Sequence, residues 1–142
     1  MNTVSHTAAL RVRYADTDKM NIVYNGNYLT YFEVGRTELL RACGLPYSHL
    51  EREGFLLPVL EAHIEFKTPA LYDDVLYIHT SYVIERKPTI RLEYVIKRGE
   101  VELATGYTLH SFVKADSMKP IKPPALFFDA VNEYAKNHFP AS

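Results

Sequence analysis

Arg13–Phe32 reads RYADTDKMNIVYNGNYLTYF. Two aspartates, Asp16 and Asp18, lie in a polar, turn-forming run that feeds directly into a tyrosine-rich segment of helical period. Upstream, Ala8, Leu10, Val12 and Tyr14 alternate with Ala9, Arg11 and Arg13, the period of a strand with one buried face. Downstream, Asn27 is placed to cap a helix. Tyr28, Tyr31, Phe32, Gly35 and Leu39 form its apolar stripe, with Glu33, Thr37 and Arg41 on the other side and Gly44 and Pro46 as its stop. A glycine in mid-stripe costs about 1 kcal/mol relative to alanine, so Gly35 implies close approach by a neighbouring backbone and a sheet that embraces the helix.

Four further strands follow. Leu60, Ala62, Ile64 and Phe66 alternate with Glu61, His63, Glu65 and Lys67. Residues 75–84 are apolar or aromatic on both faces, which predicts a strand covered on both sides. Ile90, Leu92, Tyr94 and Ile96 alternate with charged residues, and Leu103, Thr105, Tyr107 and Leu109 continue the series. Short connections at Lys87-Pro88 and Arg98-Gly99-Glu100 predict antiparallel hairpins. After the proline-rich Lys119–Pro124, Phe127, Val131, Tyr134 and Ala135 mark a last helix over 125–139. This order places the chain in the α+β class: about five antiparallel strands around one long central helix, with a short C-terminal helix, in one domain over residues 1–142. Open sheet edges predict at least a dimer.

The 142 residues are 47% hydrophobic and 23% charged, with a net charge of -1, so no overall field favours nucleic acid or an anionic membrane. No stretch approaches the roughly 20 apolar residues of a membrane span, and no signal peptide is evident, so the expected location is cytoplasmic. Cys43 is the only cysteine, which excludes an intrachain disulfide. The six histidines, His6, His49, His63, His79, His110 and His138, lack close metal-ligand spacing, and are read as surface or sheet residues; no metal or other cofactor is expected.

A carboxylate just ahead of a helix start meets unpaired N–H groups and the positive end of the helix dipole. That pairing suits acyl transfer: the carboxylate activates water or attacks, and an N–H stabilises charge developing on the carbonyl oxygen. Asp18, with the main chain around Asn25 and Gly26, fits these roles. On local sequence alone, however, Asp and Asn in such a run are turn and capping residues. Asp73 and Asp74 are read that way, and Glu33 and Arg36 as an ion pair or interface pair on the helix.

The run RYADTDKMNIVYNGNYLTYFEVGRTELLR, residues 13–41, and TPALYDDVLYIHT, residues 68–80, resemble the 4-hydroxybenzoyl-CoA thioesterase family, which includes the acyl-CoA thioesterase associated with the Tol-Pal system. The resemblance implies the hot-dog fold and thioester hydrolysis by Asp18 as nucleophile or general base, with the backbone N–H of Asn25 as the oxyanion site and Asp16 shaping the turn. It implies acyl-CoA as substrate, or an acyl-carrier-protein thioester, and assembly as a homodimer or homotetramer. The expected substrate contacts are Tyr24 and Gly26 at the helix start, an acyl pocket of Phe32, Leu56, Leu57, Pro58 and Val59, and phosphate contacts from Arg86 and Lys87, with Lys97 and Arg98 as further cations. Two departures stand out. Asn21 replaces a frequent glycine, and Asn25 replaces a frequent histidine. These leave open a second reading, a non-catalytic module that binds acyl-CoA or acyl-carrier protein.

Overall fold

The computed structural model describes residues 2–139. Strand β1 (Thr3–Arg11) leads through one turn of 3-10 helix at Tyr14–Asp16 and a polar loop into α1 (Asn27–Ala42). A short α2 (Tyr47–Arg52) and β2 (Phe55–Leu56) follow, then β3 (Val59–Phe66), β4 (Val75–Val83), β5 (Thr89–Arg98), β6 (Val101–Ser111), β7 (Val113–Lys114) and α3 (Ala125–His138). The main sheet has five antiparallel strands in the order β1-β4-β5-β6-β3; β2 and β7 pair separately. No helix among the described residues is long and apolar enough to cross a membrane.

Helix α1 lies across one face of the sheet. Tyr28, Tyr31, Phe32, Gly35 and Leu39, the stripe read from the sequence, are all buried there, and Gly26 rather than Asn27 occupies the cap position. The close approach at Gly35 is made by side chains and not by backbone: a Cβ added there would lie 2.7 Å from Cγ2 of Ile78 and against Oγ1 of Thr80, both on β4. At Gly44, φ of +77° ends the segment in the left-handed region that glycine tolerates.

Four sequence expectations are corrected. Tyr14 is 75% exposed, because the chain leaves β1 after Arg11 and turns before that side chain can join the buried face. In β4 only Leu76, Ile78, Thr80 and Tyr82 are buried, and Tyr77 and His79 point outward from the chain. In β6 the inward face is Ala104, Gly106, Thr108 and His110, and it begins just after a register irregularity in the pairing with β5, where Ile96 meets Ala104 but Lys97 meets Glu102. His110 is therefore fully buried, neither a surface residue nor part of the apolar alternation. Glu33 and Arg36 form no ion pair with one another; Arg36 instead turns toward Tyr94 and His110 beneath α1.

The ends of the sheet matter for the site. Register pairs Val59 with His110, His110 with Ile90, and Thr3 with Val83, so the starts of β3 and β5 lie at one end. Phe66, Ala104, Ile96, Val75 and Arg11 lie at the other. Eight steps of about 3.3 Å along β1 separate these ends by about 26 Å. Strand β3 is an edge, and its residues are exposed on both faces except for the half-buried Ile64.

Candidate active site

Asp16 and Asp18, two residues apart, do different things. Asp16 is buried. Its Oδ2 accepts the Arg13 N–H at 3.1 Å and the Tyr31 hydroxyl at 3.0 Å, and its Oδ1 accepts the Arg13 guanidinium at 2.9 Å. Burial raises its pKa, but the hydrogen bonds from Arg13 and Tyr31 outweigh that and hold the carboxyl below its usual range. Its backbone oxygen accepts both the Tyr24 N–H at 2.9 Å and the Asn27 side-chain amide at 2.8 Å. Asp16 thus ties together the two residues that flank Asn25 and Gly26.

The loop it anchors carries Asp18, half-buried. The Asp18 N–H donates to the Ile22 carbonyl at 2.9 Å and the Asn21 N–H to the Asp18 carbonyl at 3.0 Å. Asn21 sits at φ of +65°, the left-handed conformation expected where the family often has glycine. Oδ1 of Asp18 accepts the Met20 N–H at 2.8 Å, which leaves Oδ2 without a protein donor among the described residues. The N–H groups of Asn25 and Gly26 likewise find no acceptor among the described residues. They are free donors at the positive end of a sixteen-residue helix. Beside them opens a cleft of about 150 Å³ lined by Ile22, Val23, Asn25, Tyr28, Phe66, Lys67, Thr68 and Pro69.

The remaining candidates divide between the two ends of the molecule. Tyr24, 60% exposed, lays its ring over Gly26: a Cβ at that glycine would meet the ring at 2.9 Å. The ring thus covers the side of Gly26 where a side chain would stand. Leu57, Pro58 and Val59 lead into β3 at the opposite end of the strand from Phe66. Arg86 and Lys87 lie just beyond β4, at that same far end, where with Pro88, Lys122, Pro123 and Phe128 they line a groove of about 310 Å³. Arg98 is occupied by Asp74 at 2.7 Å. Phe32 needs correction as a pocket wall within the chain. It is fully enclosed, stacks on Tyr94 with ring centroids 4.2 Å apart, and packs over Gly106, because the sheet beneath α1 leaves no space there.

Sequence reading missed Tyr31 as the partner of Asp16 and the buried set Tyr94, Thr108 and His110. An i, i+2 pair of polar residues on an inward strand face was the available signal. Among the described residues no three His, Cys, Asp or Glu side chains gather as metal ligands.

A carboxylate with one free oxygen and two unpaired amides thus lie on a loop and helix start held by one buried post, in an α+β protein whose five-stranded antiparallel sheet and long central helix make a hot-dog fold. The sequence pattern of the thioesterase-like superfamily matches residues 12–131, and the chain belongs to that family, which makes it a thioester hydrolase by class. It is 38% identical over 128 residues to YneP of Bacillus subtilis, covering 89% of this chain and 93% of that one. It is 31% identical over 134 residues to YbgC of Escherichia coli O6:H1, named as an acyl-CoA thioester hydrolase, covering 94% and 98%. Its fold is similar to the crystal structure of a DHNA-CoA thioesterase from Staphylococcus aureus, with a TM-score of 0.86, 26% identity, and coverage of 97% and 96%.

Proposed function

We propose that this chain is a cytoplasmic acyl-CoA thioesterase in which Asp18 promotes attack on the thioester carbonyl and the Asn25 N–H holds the oxyanion. The observation that carries this reading is the pair of unpaired N–H groups at Asn25 and Gly26, tied through Asp16 to the loop that bears Asp18. As general base, Asp18 takes a proton from water while the oxygen adds to the carbonyl carbon; the C–S bond then breaks and CoA leaves as thiolate. As nucleophile, the Asp18 carboxylate adds to the carbonyl carbon, the C–S bond breaks and CoA leaves as thiolate, and water then hydrolyses the mixed anhydride to free acid and regenerated Asp18. Either route places developing negative charge on one oxygen beside the helix start.

The far-end position of Leu57–Val59, Arg86 and Lys87 is reconciled by a second copy. Strand β3 offers an uncovered edge with Val59, Leu60 and Phe66 each about half exposed. Antiparallel two-fold pairing along β3 brings the Val59 end of one chain beside the Phe66 end of the other. It therefore aligns the acyl wall Leu57–Val59 and the cations Arg86 and Lys87 of one protomer with Asp18 and Asn25 of its partner. A homodimer is the minimal unit in this reading, and a homotetramer is a pair of such dimers.

Purified protein with a panel of aliphatic and aromatic acyl-CoAs should release free thiol, and Asp18→Asn should lower turnover by about 10² or more. A folded, fully active Asp18→Asn variant overturns the mechanism. The alternative, a binding module for acyl-CoA or acyl-carrier protein, draws on Asn25 in place of histidine and on the Met20 N–H that occupies one Asp18 oxygen. Tight binding with no turnover across the panel selects it.

A further inference from the structure

Leu57 and Pro58 join β2 to β3 without a sheet partner, so side chains hold this segment. The Leu57 N–H donates to the Tyr47 hydroxyl at 2.9 Å, and the Leu57 carbonyl faces Nδ1 of His110 at 3.3 Å. A carbonyl oxygen only accepts, so Nδ1 carries the proton. In the neutral ring Nε2 is then bare and accepts from the Thr108 hydroxyl at 2.8 Å. That hydroxyl, having donated, accepts from the Tyr94 hydroxyl at 2.6 Å. The Arg36 guanidinium of α1 faces the Tyr94 oxygen and lowers that phenol's pKa against the larger, opposite effect of burial. The Tyr94, Thr108 and His110 donors are each used once and point the same way, through the sheet to the Leu57 carbonyl, with Arg36 of α1 facing their start. Burial keeps the imidazole uncharged, with its pKa lowered to about 4.

Thr108 and His110 lie on a face where apolar residues would avoid desolvating any polar group. Behind Leu57 is a small internal cavity of about 10 Å³, with Arg36 on its wall together with Leu39 and Leu40. A space of that size admits about one water.

We propose that the chain Arg36, Tyr94, Thr108 and His110 fixes the Leu57–Pro58 wall and so sets the range of acyl groups the site accepts, with His110 as a positioning residue. This rests on reading Leu57–Val59 as the acyl wall. The chain reaches the main chain of that wall and touches neither Asp18 nor the helix start, so it governs selectivity and not the bond-breaking step.

The test is kcat/KM along the series from acetyl-CoA to decanoyl-CoA. Thr108→Val cuts the chain in its middle at nearly constant volume. It is expected to weaken discrimination between the best substrate and the next longer homologues by about tenfold, within the range a hydrophobic pocket wall controls. kcat on the best substrate is expected to stay within about twofold, and Thr108→Ser to restore the original profile. Tyr47→Phe, which releases the same segment from α2, repeats the test outside the sheet core should Thr108→Val fail to fold. Leu57→Ala is the control for the wall. If it reshapes the profile while Thr108→Val and Tyr47→Phe leave it superimposed on the wild type, the proposal is overturned. If Leu57→Ala itself changes nothing, the wall is misassigned and the proposal falls with it, whatever Asp18→Asn shows about the chemistry.

Discussion

The Tyr31 hydroxyl, on the second turn of α1, donates to Oδ2 of Asp16 across 3.0 Å and so joins the central helix to the loop that carries Asp18. Tyr31→Phe leaves Asp16 two donors from Arg13 and is expected to cost about 1 kcal/mol. Asp16→Ala strands the buried Tyr31 hydroxyl and the Arg13 N–H together, and is expected to cost about 2–3 kcal/mol. Because the two changes share one bond, the double variant should lose less than the sum. Urea unfolding of the four proteins measures this.

The proposed oxyanion role rests on the Asn25 backbone N–H, not on its side chain. Asn25→Ala should retain kcat within about threefold, whereas Asn25→Pro removes the N–H and should lower kcat by about 10²–10³. Steady-state kinetics on one acyl-CoA, with circular dichroism to verify folding, separates the two variants.

Gly35→Ala should destabilise the protein although alanine is the better helix former by about 1 kcal/mol. The new methyl would press on Ile78 and Thr80, and such overpacking costs about 1–3 kcal/mol. A lowered thermal midpoint is the expected outcome; a raised one would mean that the β4 side chains yield freely.

His110 sets an acid limit. Its pKa falls from 6.5 to about 4 on folding, so the unfolded chain binds the proton first. Stability is at its full value above about pH 6.5 and declines as pH falls toward about 4, by about 3 kcal/mol over that window. The depressed Asp16 carboxyl acts lower: its contribution is present above its unfolded value of 3.8 and is lost as pH falls through its folded value. Unfolding free energies measured from pH 7 to pH 4 should show the first decline, and His110→Gln should flatten it.

In the proposed dimer, two-fold pairing along β3 brings the middle of the strand against its own copy. Ala62→Lys places like charges across that axis, which opposes pairing. Sedimentation should move from twice the chain mass to a single chain, and thioesterase activity should fall in parallel. Activity that survives in a monomer would dismiss the shared site.

Local pattern made much of this fold readable. The α1 stripe and both hairpins needed only period and turn chemistry, and the start of α1 differs by one residue because Gly26 already has helical dihedrals. Helix α2 escaped notice because six residues with a single buried side chain, Leu50, carry too little periodicity. The inward face of β6 was hidden for a different reason: Thr108 and His110 are polar, so the apolar signal ran along the opposite face. The division of labour expected between Asp16 and Asp18 came from the family resemblance and not from the turn-forming run itself, and the Tyr31 contact to Asp16 spans fifteen residues and depends on how α1 docks. That Arg86 and Lys87 sit at the opposite end of the sheet from Asp18 follows from strand register, which only tertiary pairing fixes.

That separation also reaches genetics. With the carboxylate loop at one end of the strands and the hairpin cations at the other, each active centre in the proposed dimer draws its halves from different polypeptides. Co-expressing one chain that lacks Asp18 with another that lacks Arg86 and Lys87 gives heterodimers with one doubly crippled centre and one built wholly from undamaged halves, so two inactive alleles would complement each other.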